Sequence, residues 1–167
     1  MSAAPNTAES QSSAHRRSVQ LQTEDDRGLY VLVINLKEAC EIKAGRLPKT
    51  ALAPGYYLYV GRARRHLSGR LKRHMQQEKN AFWHIDYLLS YSQIQEIWMK
   101  NGLLDECSTA GQILSCSREA SFPIPGFGSS DCRCPSHLLR VSKEDRSWRK
   151  LMKAMNFKKA VNHGYPA

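Results

Sequence analysis

The chain has 167 residues, enough for one domain with a modest core and a tail, and its 41% hydrophobic content can fill that core. Lys and Arg number 25 against 15 Asp and Glu, a net charge of +10 that points to a polyanionic partner, above all nucleic acid. No segment has the length and apolarity of a membrane span, no long basic amphipathic helix suggests a membrane surface, and residues 1–27 carry no signal-peptide stretch, so an intracellular, cytoplasmic location is expected. Five cysteines without a secretory signal are expected to stay free thiols.

Residues 1–26 are Ser, Ala, Thr, Gln and charge, with Val19 and Leu21 the large aliphatic residues after Met1. Such a stretch cannot offset its ordering entropy by burial and is expected to be a disordered tail. Gly28–Leu36 is short, apolar and β-branched, hence a strand. The polar interruption 37–54 carries Gly45, Pro48 and Pro54 and suits a long hairpin excursion with room for an extra strand pair. Residues 55–61 (GYYLYVG) form the second strand, with Tyr57 and Tyr59 on one face and Tyr56, Leu58 and Val60 on the other.

Over 66–77 the spacing of Leu67, Leu71 and Met75 predicts a helix. Arg70 and His74 fall beside that apolar stripe, at the seam with the sheet, while Lys72 and Arg73 point outward. A short helix or turn is expected at 84–91, a third strand at 94–100, and a second main helix at 104–115. A Gly/Pro/Ser loop occupies 121–135, with a last short strand at 137–141. Residues 144–157 predict a C-terminal helix with Trp148, Leu151, Met152 and Met155 on one side. The expected fold is α+β: a small antiparallel three-stranded sheet packed with helices in one domain over 27–141, followed by a basic helix and tail at 142–167.

Gly28-Leu29-Tyr30 opens the first strand and Tyr59-Val60-Gly61 closes the second, with Arg70 behind them. Two tyrosines on neighbouring strands facing a helical arginine suit phosphodiester cleavage, although strands favour tyrosine in any case. This pair of tripeptides resembles those that name the GIY-YIG nuclease superfamily. The segment YVGRA followed by LSGRL is similar to the corresponding segment of excision-repair nuclease subunits and homing endonucleases. Three segments in order, GYYLYVG at 55–61, WHIDYLL at 83–89 and GFGSSDCRCPSHL at 126–138, resemble a GIY-YIG-like branch of that superfamily. The likeness spans roughly residues 27–141.

The resemblance implies a DNA endonuclease assisted by Mg²⁺ or Mn²⁺. Tyr30 and Tyr59 would handle the attacking water, Arg70 would stabilise charge on the phosphate, and His74 would assist. Tyrosine ionises near pH 10 when unperturbed, so Arg62 and Arg70 are the cations that could help it act as a base. The metal-binding glutamate would be Glu106. It lies at the start of its helix, whereas repair nucleases carry the ligand about two turns later, near Gln112 or Ile113. The 37–54 excursion is also longer than the hairpin usual in the superfamily. A non-catalytic nucleic-acid-binding module on the same fold is the alternative.

Further candidates lie outside this set. Arg62, Arg64, Arg65, Lys72 and Arg73, with Arg70, form the densest basic stretch, suited either to backbone phosphates or to a solvated helix face. The basic region 143–159 is either a nucleic-acid arm or an amphipathic helix packed on the sheet. His84 and Asp86 read either as cleft residues or as a structural hydrogen-bonded pair. Cys132-Arg133-Cys134-Pro135-Ser136-His137 resembles half a zinc site, which Cys107 or Cys116 could complete. Zn²⁺ is therefore the lesser cofactor alternative, and a small zinc-containing interaction domain a third class of function. Asp131 and His137 could instead close over the active site, and the amides of 127–130 could meet phosphate.

Overall fold

The computed structural model describes residues 26–102 and 105–160. The expected disordered stretch 1–26 lies outside the described residues except for Asp26. Eleven elements follow in chain order: β1 Gly28–Leu36, β2 Cys40–Ile42, β3 Thr50–Leu52, β4 Gly55–Ala63, α1 Leu67–Met75, α2 His84–Leu89, β5 Gln93–Asn101, α3 Glu106–Cys116, β6 Leu138–Val141, α4 Ser147–Ala154 and β7 Lys158–Ala160.

The main sheet has five strands in the order β6-β4-β1-β5-β7, and each neighbouring pair is antiparallel. The expectation of three strands is thus corrected to five. Both extra strands are short and lie at the edges. β6 has four residues, and β7 has three, reading Lys-Lys-Ala, with no apolar alternation to mark it. Short edge strands resist further pairing; β6 matches the short strand expected at 137–141, whereas the charge of β7 hides it from periodicity. β2 and β3 pair separately as a ribbon within the 37–54 excursion.

β1 is buried along nearly its whole length because both sheet faces are covered. On one face Tyr30, Leu32, Ile34, Tyr57 and Tyr59 pack with Leu67 and Leu71 of α1, Ile85 and Leu88 of α2, and Ile124 and Phe127 of the long loop. On the other, Leu29, Val31, Val33, Leu58, Val60 and Trp98 pack with Ala110 and Ile113 of α3 and Trp148 and Met152 of α4. Phe157 joins this second core and β7 pairs with β5, so the folded unit runs to Ala160. The α1 start is fastened to the sheet from a distance: the Ser68 amide donates to Asp26 Oδ1 at 2.8 Å and Leu67 N donates to the Asp26 carbonyl at 3.0 Å.

Candidate functional site

The register of β1 against β4 places Tyr30 opposite Gly61 and Leu32 opposite Tyr59. Tyr30 and Tyr59 therefore share the face turned to α1, as diagonal neighbours with ring centroids 6.3 Å apart. Gly61 is the residue that lets Tyr30 lie flat across β4, because a Cβ there would run into the Tyr30 ring. Gly128, at φ +77, serves Tyr59 in the same way. Its missing Cβ would lie 2.9 Å from the Tyr59 ring and 3.0 Å from His137 Cβ.

Tyr30 is buried, and its hydroxyl sits 2.9 Å from His74 Nε2. Burial pushes the Tyr30 phenol up to about 12, opposed by the charge of Arg70 and its hydrogen bond to the hydroxyl. Arginine can only donate, so the hydrogen of Tyr30 is free to go to His74. Burial also holds His74 neutral, at about 3. With Nε2 accepting, Nδ1 carries the ring proton, and it is buried without a hydrogen-bond partner. Burial likewise pushes Tyr59 well above 10, with Arg70 again opposing. The Arg70 guanidinium lies 4.6 Å from the Trp83 ring centroid, a stacking contact that fixes its direction.

Tyr59, Arg70 and Trp83 border a cleft of about 520 Å³, whereas Tyr30 and His74 are buried outside its lining. Tyr59, Gly61, Arg62, Arg64, Arg65 and Arg70 line it from β4, the following turn and α1. Phe82, Trp83 and His84 line it from α2 and the residues before it, and Glu106, Gly128, Ser130, Asp131 and His137 from the far wall. Four arginines against two carboxylates give the cleft a positive potential. Phe82, 78% exposed, stands at its edge as an uncovered aromatic surface.

The predicted residues divide between cleft and scaffold. Lys72 is exposed and lies outside the cleft lining. Arg73 turns to Asp86, pairing with Oδ2 at 2.8 Å and stacking 4.8 Å from Trp83. Asp86 Oδ2 also accepts the amides of Phe82 and Trp83, each at 3.0 Å, so this carboxylate caps α2. His84 lines the cleft, and its Nδ1 accepts the Gly128 amide at 3.0 Å, tying α2 to the long loop. Of the basic region 143–159, Trp148 and Phe157 are buried against the sheet, and Arg149 and Lys159 pair with Glu96.

Glu106 is buried at the first residue of α3 and lines the same cleft as Arg70. Its charge is felt at Tyr30. Its Oε2 lies 2.9 Å from Arg62 Nε, an ion pair lying off the hydrogen-bonding direction, so Oε2 has no aligned donor. Ile113, near the place where repair nucleases carry their ligand, is core, and Gln112 is exposed.

One residue further along α3, Cys107 meets Cys132, Cys134 and His137, and the four ligand-type atoms all lie within 4.8 Å of one another. A metal ion such as zinc could be held there, with Cys107 and not Cys116 as the fourth member. The contacts of Cys107 and Cys132 with His137 Nε2 are 3.6 and 3.5 Å. Burial pushes the Cys107 thiol up to about 11, and burial with the neighbouring thiols raises Cys134 further. The sequence signal for Cys107 was its position alone, since no motif joins residues this far apart.

The family described as Domain of unknown function DUF123 matches residues 29–160. The chain belongs to this family. The match takes in both edge strands and α4, the same extent as the folded unit. Comparison with curated proteins and with solved structures returns no match.

Proposed function

We propose that this DUF123 protein is a GIY-YIG-type endonuclease that hydrolyses phosphodiester bonds in DNA within the arginine-lined cleft. One observation carries the reading: Tyr59, Arg70 and Glu106 converge on a single cationic cleft, with the Tyr30–His74 pair directly behind Arg70. In this reading Arg70 seats the scissile phosphate and stabilises the charge that develops on its equatorial oxygens. Arg64 and Arg65, exposed at the rim, take flanking phosphates. Phe82 offers a face on which a displaced base can stack. The attacking water hydrogen-bonds to the Tyr59 hydroxyl. Tyr59 ionises only at high pH, so proton removal through it grows as the medium becomes alkaline. Tyr30 and His74 position Arg70 and do not reach the water.

A divalent ion such as Mg²⁺ is part of what the resemblance implies, and the residues of the cleft do not fit one well. Glu106 is already neutralised by Arg62, and the second carboxylate of the cleft, Asp131, is exposed.

A second reading, a nucleic-acid-binding module that does not cut, is favoured by that same Arg62–Glu106 pair and by the burial of Tyr30. The test is a cleavage panel of duplex, nicked and branched DNA and RNA, each with Mg²⁺, with Mn²⁺ and with chelator, alongside binding measured on the same substrates. Product that disappears in Arg70→Ala and Tyr59→Phe, both folded, supports the nuclease. Retained binding with no product on any substrate assigns the module.

A further inference from the structure

We propose that Cys107, Cys132, Cys134 and His137 hold one structural Zn²⁺ that fastens the first turn of α3 to the long loop and so fixes the wall of the cleft. The donor set itself points to this ion. Three thiols and an imidazole gathered within 4.8 Å are the soft, borderline ligands of a closed tetrahedral zinc site. With Zn–S about 2.3 Å and Zn–N about 2.0–2.1 Å, the edges of such a tetrahedron measure about 3.5–3.8 Å. Two contacts fall at that length, 3.5 Å from Cys132 Sγ and 3.6 Å from Cys107 Sγ to His137 Nε2. The other two given, 2.8 Å from Cys134 Sγ to Nε2 and 2.9 Å between Cys132 and Cys134, need to open by less than about 1 Å.

The surroundings suit a ligand histidine. The His137 ring makes a backbone hydrogen bond to Gly128 while Nε2 faces the three sulfurs. A second ring nitrogen held by a backbone group is the usual way a metal-binding histidine has its tautomer and direction set. The His137 backbone is fixed too, donating to the Phe127 carbonyl at 2.7 Å and accepting the Val60 amide at 3.0 Å. His137 is thus anchored to β4 at the point where Tyr59 stands.

The placement gives the ion its role. Cys107 follows Glu106 directly, and Gly128, Asp131 and His137 line the cleft opposite Arg70. The stretch between α3 and β6 holds no named helix or strand, so one cross-link between Cys107 and the 132–137 turn restrains both sides of that wall. Four protein ligands leave no open position, so the ion supports the wall and does not itself activate water. The assignment is independent of whether the cleft cuts nucleic acid.

The full chain, purified without chelator and then loaded with Zn²⁺ or Co²⁺, provides the test. The expected result is about one zinc per chain, and for cobalt a thiolate charge-transfer band with the intense visible bands of a tetrahedral site. Of the five cysteines, the three in the cluster should be protected from a thiol reagent until a strong chelator is added, while the rates of Cys40 and Cys116 should not depend on the chelator. Cys40→Ser and Cys116→Ser should keep the spectrum, Cys134→Ser should lose it, and His137→Cys with the three cysteines intact should give a tetrahedral site of four sulfurs. The chelator titration of the wild-type chain stands even where a ligand variant fails to fold. Substoichiometric zinc after loading, an octahedral cobalt spectrum, five equally reactive thiols, or a mass lower by two hydrogens from a disulfide would each overturn the assignment.

Discussion

Acidification is the perturbation that isolates the Tyr30–His74 pair. The unfolded chain protonates His74 near 6.5, whereas burial delays protonation in the folded chain to about 3; Asp86 opposes the shift, and Lys79, Arg70 and Arg73 add to it. A histidine with a lowered folded value contributes stability that is present above 6.5 and is lost as pH falls towards 3, because the unfolded state gains the proton first. Between about pH 7.5 and about pH 4.5 the loss spans two pH units below 6.5, which at about 1.4 kcal/mol per unit amounts to about 3 kcal/mol. Urea unfolding of wild type and of His74→Gln at the two pH values measures it. Glutamine keeps an acceptor for Tyr30 but does not titrate, and the carboxylates are common to both proteins. The wild type should lose about 3 kcal/mol more than the variant over this range. Equal losses would refute a neutral, buried His74 and with it the hydrogen-bond assignment of the pair.

Other consequences can be checked separately. Gly61→Ala should destabilise the fold by about 1–3 kcal/mol in chemical denaturation and change the tyrosine signal, because the new Cβ meets the Tyr30 ring. Binding to single-stranded DNA should weaken with salt, and the double variant Arg64→Ala/Arg65→Ala should reduce the log–log slope by about 1.4 while leaving the melting temperature unchanged. The cleavage rate should rise with pH, by about tenfold per unit from about pH 7 to about pH 9, because the raised Tyr59 value keeps the phenol protonated throughout that range. A flat profile measured under single-turnover conditions would remove Tyr59 from proton transfer. Arg62→Met should free Glu106 in the cleft wall and weaken DNA binding, with the ion-pair loss read by the same denaturation assay.

The legible parts of the chain were those where local pattern and tertiary environment agree. β1 followed from its short apolar, β-branched run and the faces of β4 from alternation, because each face of the sheet meets its own core. Leu67 and Leu71 marked the buried side of α1, and the same angular argument placed Arg70 at its edge, whereas His74, expected beside it, is buried with the two leucines. β7 was hidden because an edge strand of three residues needs no apolar pattern when its pairing is to the backbone of β5. Long-range partners were hidden for a different reason. Arg62 meets Glu106, and Cys107 meets the 132–137 turn, only because β4 and α3 lie against one another, and spacing along the chain carries no record of that. Arg73 read as a phosphate contact by its charge, yet Asp86 one helix away claims it.

The central claim is that Arg70 stabilises a phosphodiester being cut in this cleft. Single-turnover cleavage of end-labelled branched, nicked and duplex DNA by wild type and Arg70→Ala, at protein concentrations that saturate binding in both, tests it most directly. Product is expected from wild type, and a rate about 10²–10³-fold lower from the variant, with the variant still folded. Saturated binding by wild type with no product on any substrate, or equal rates in the two proteins, would contradict it.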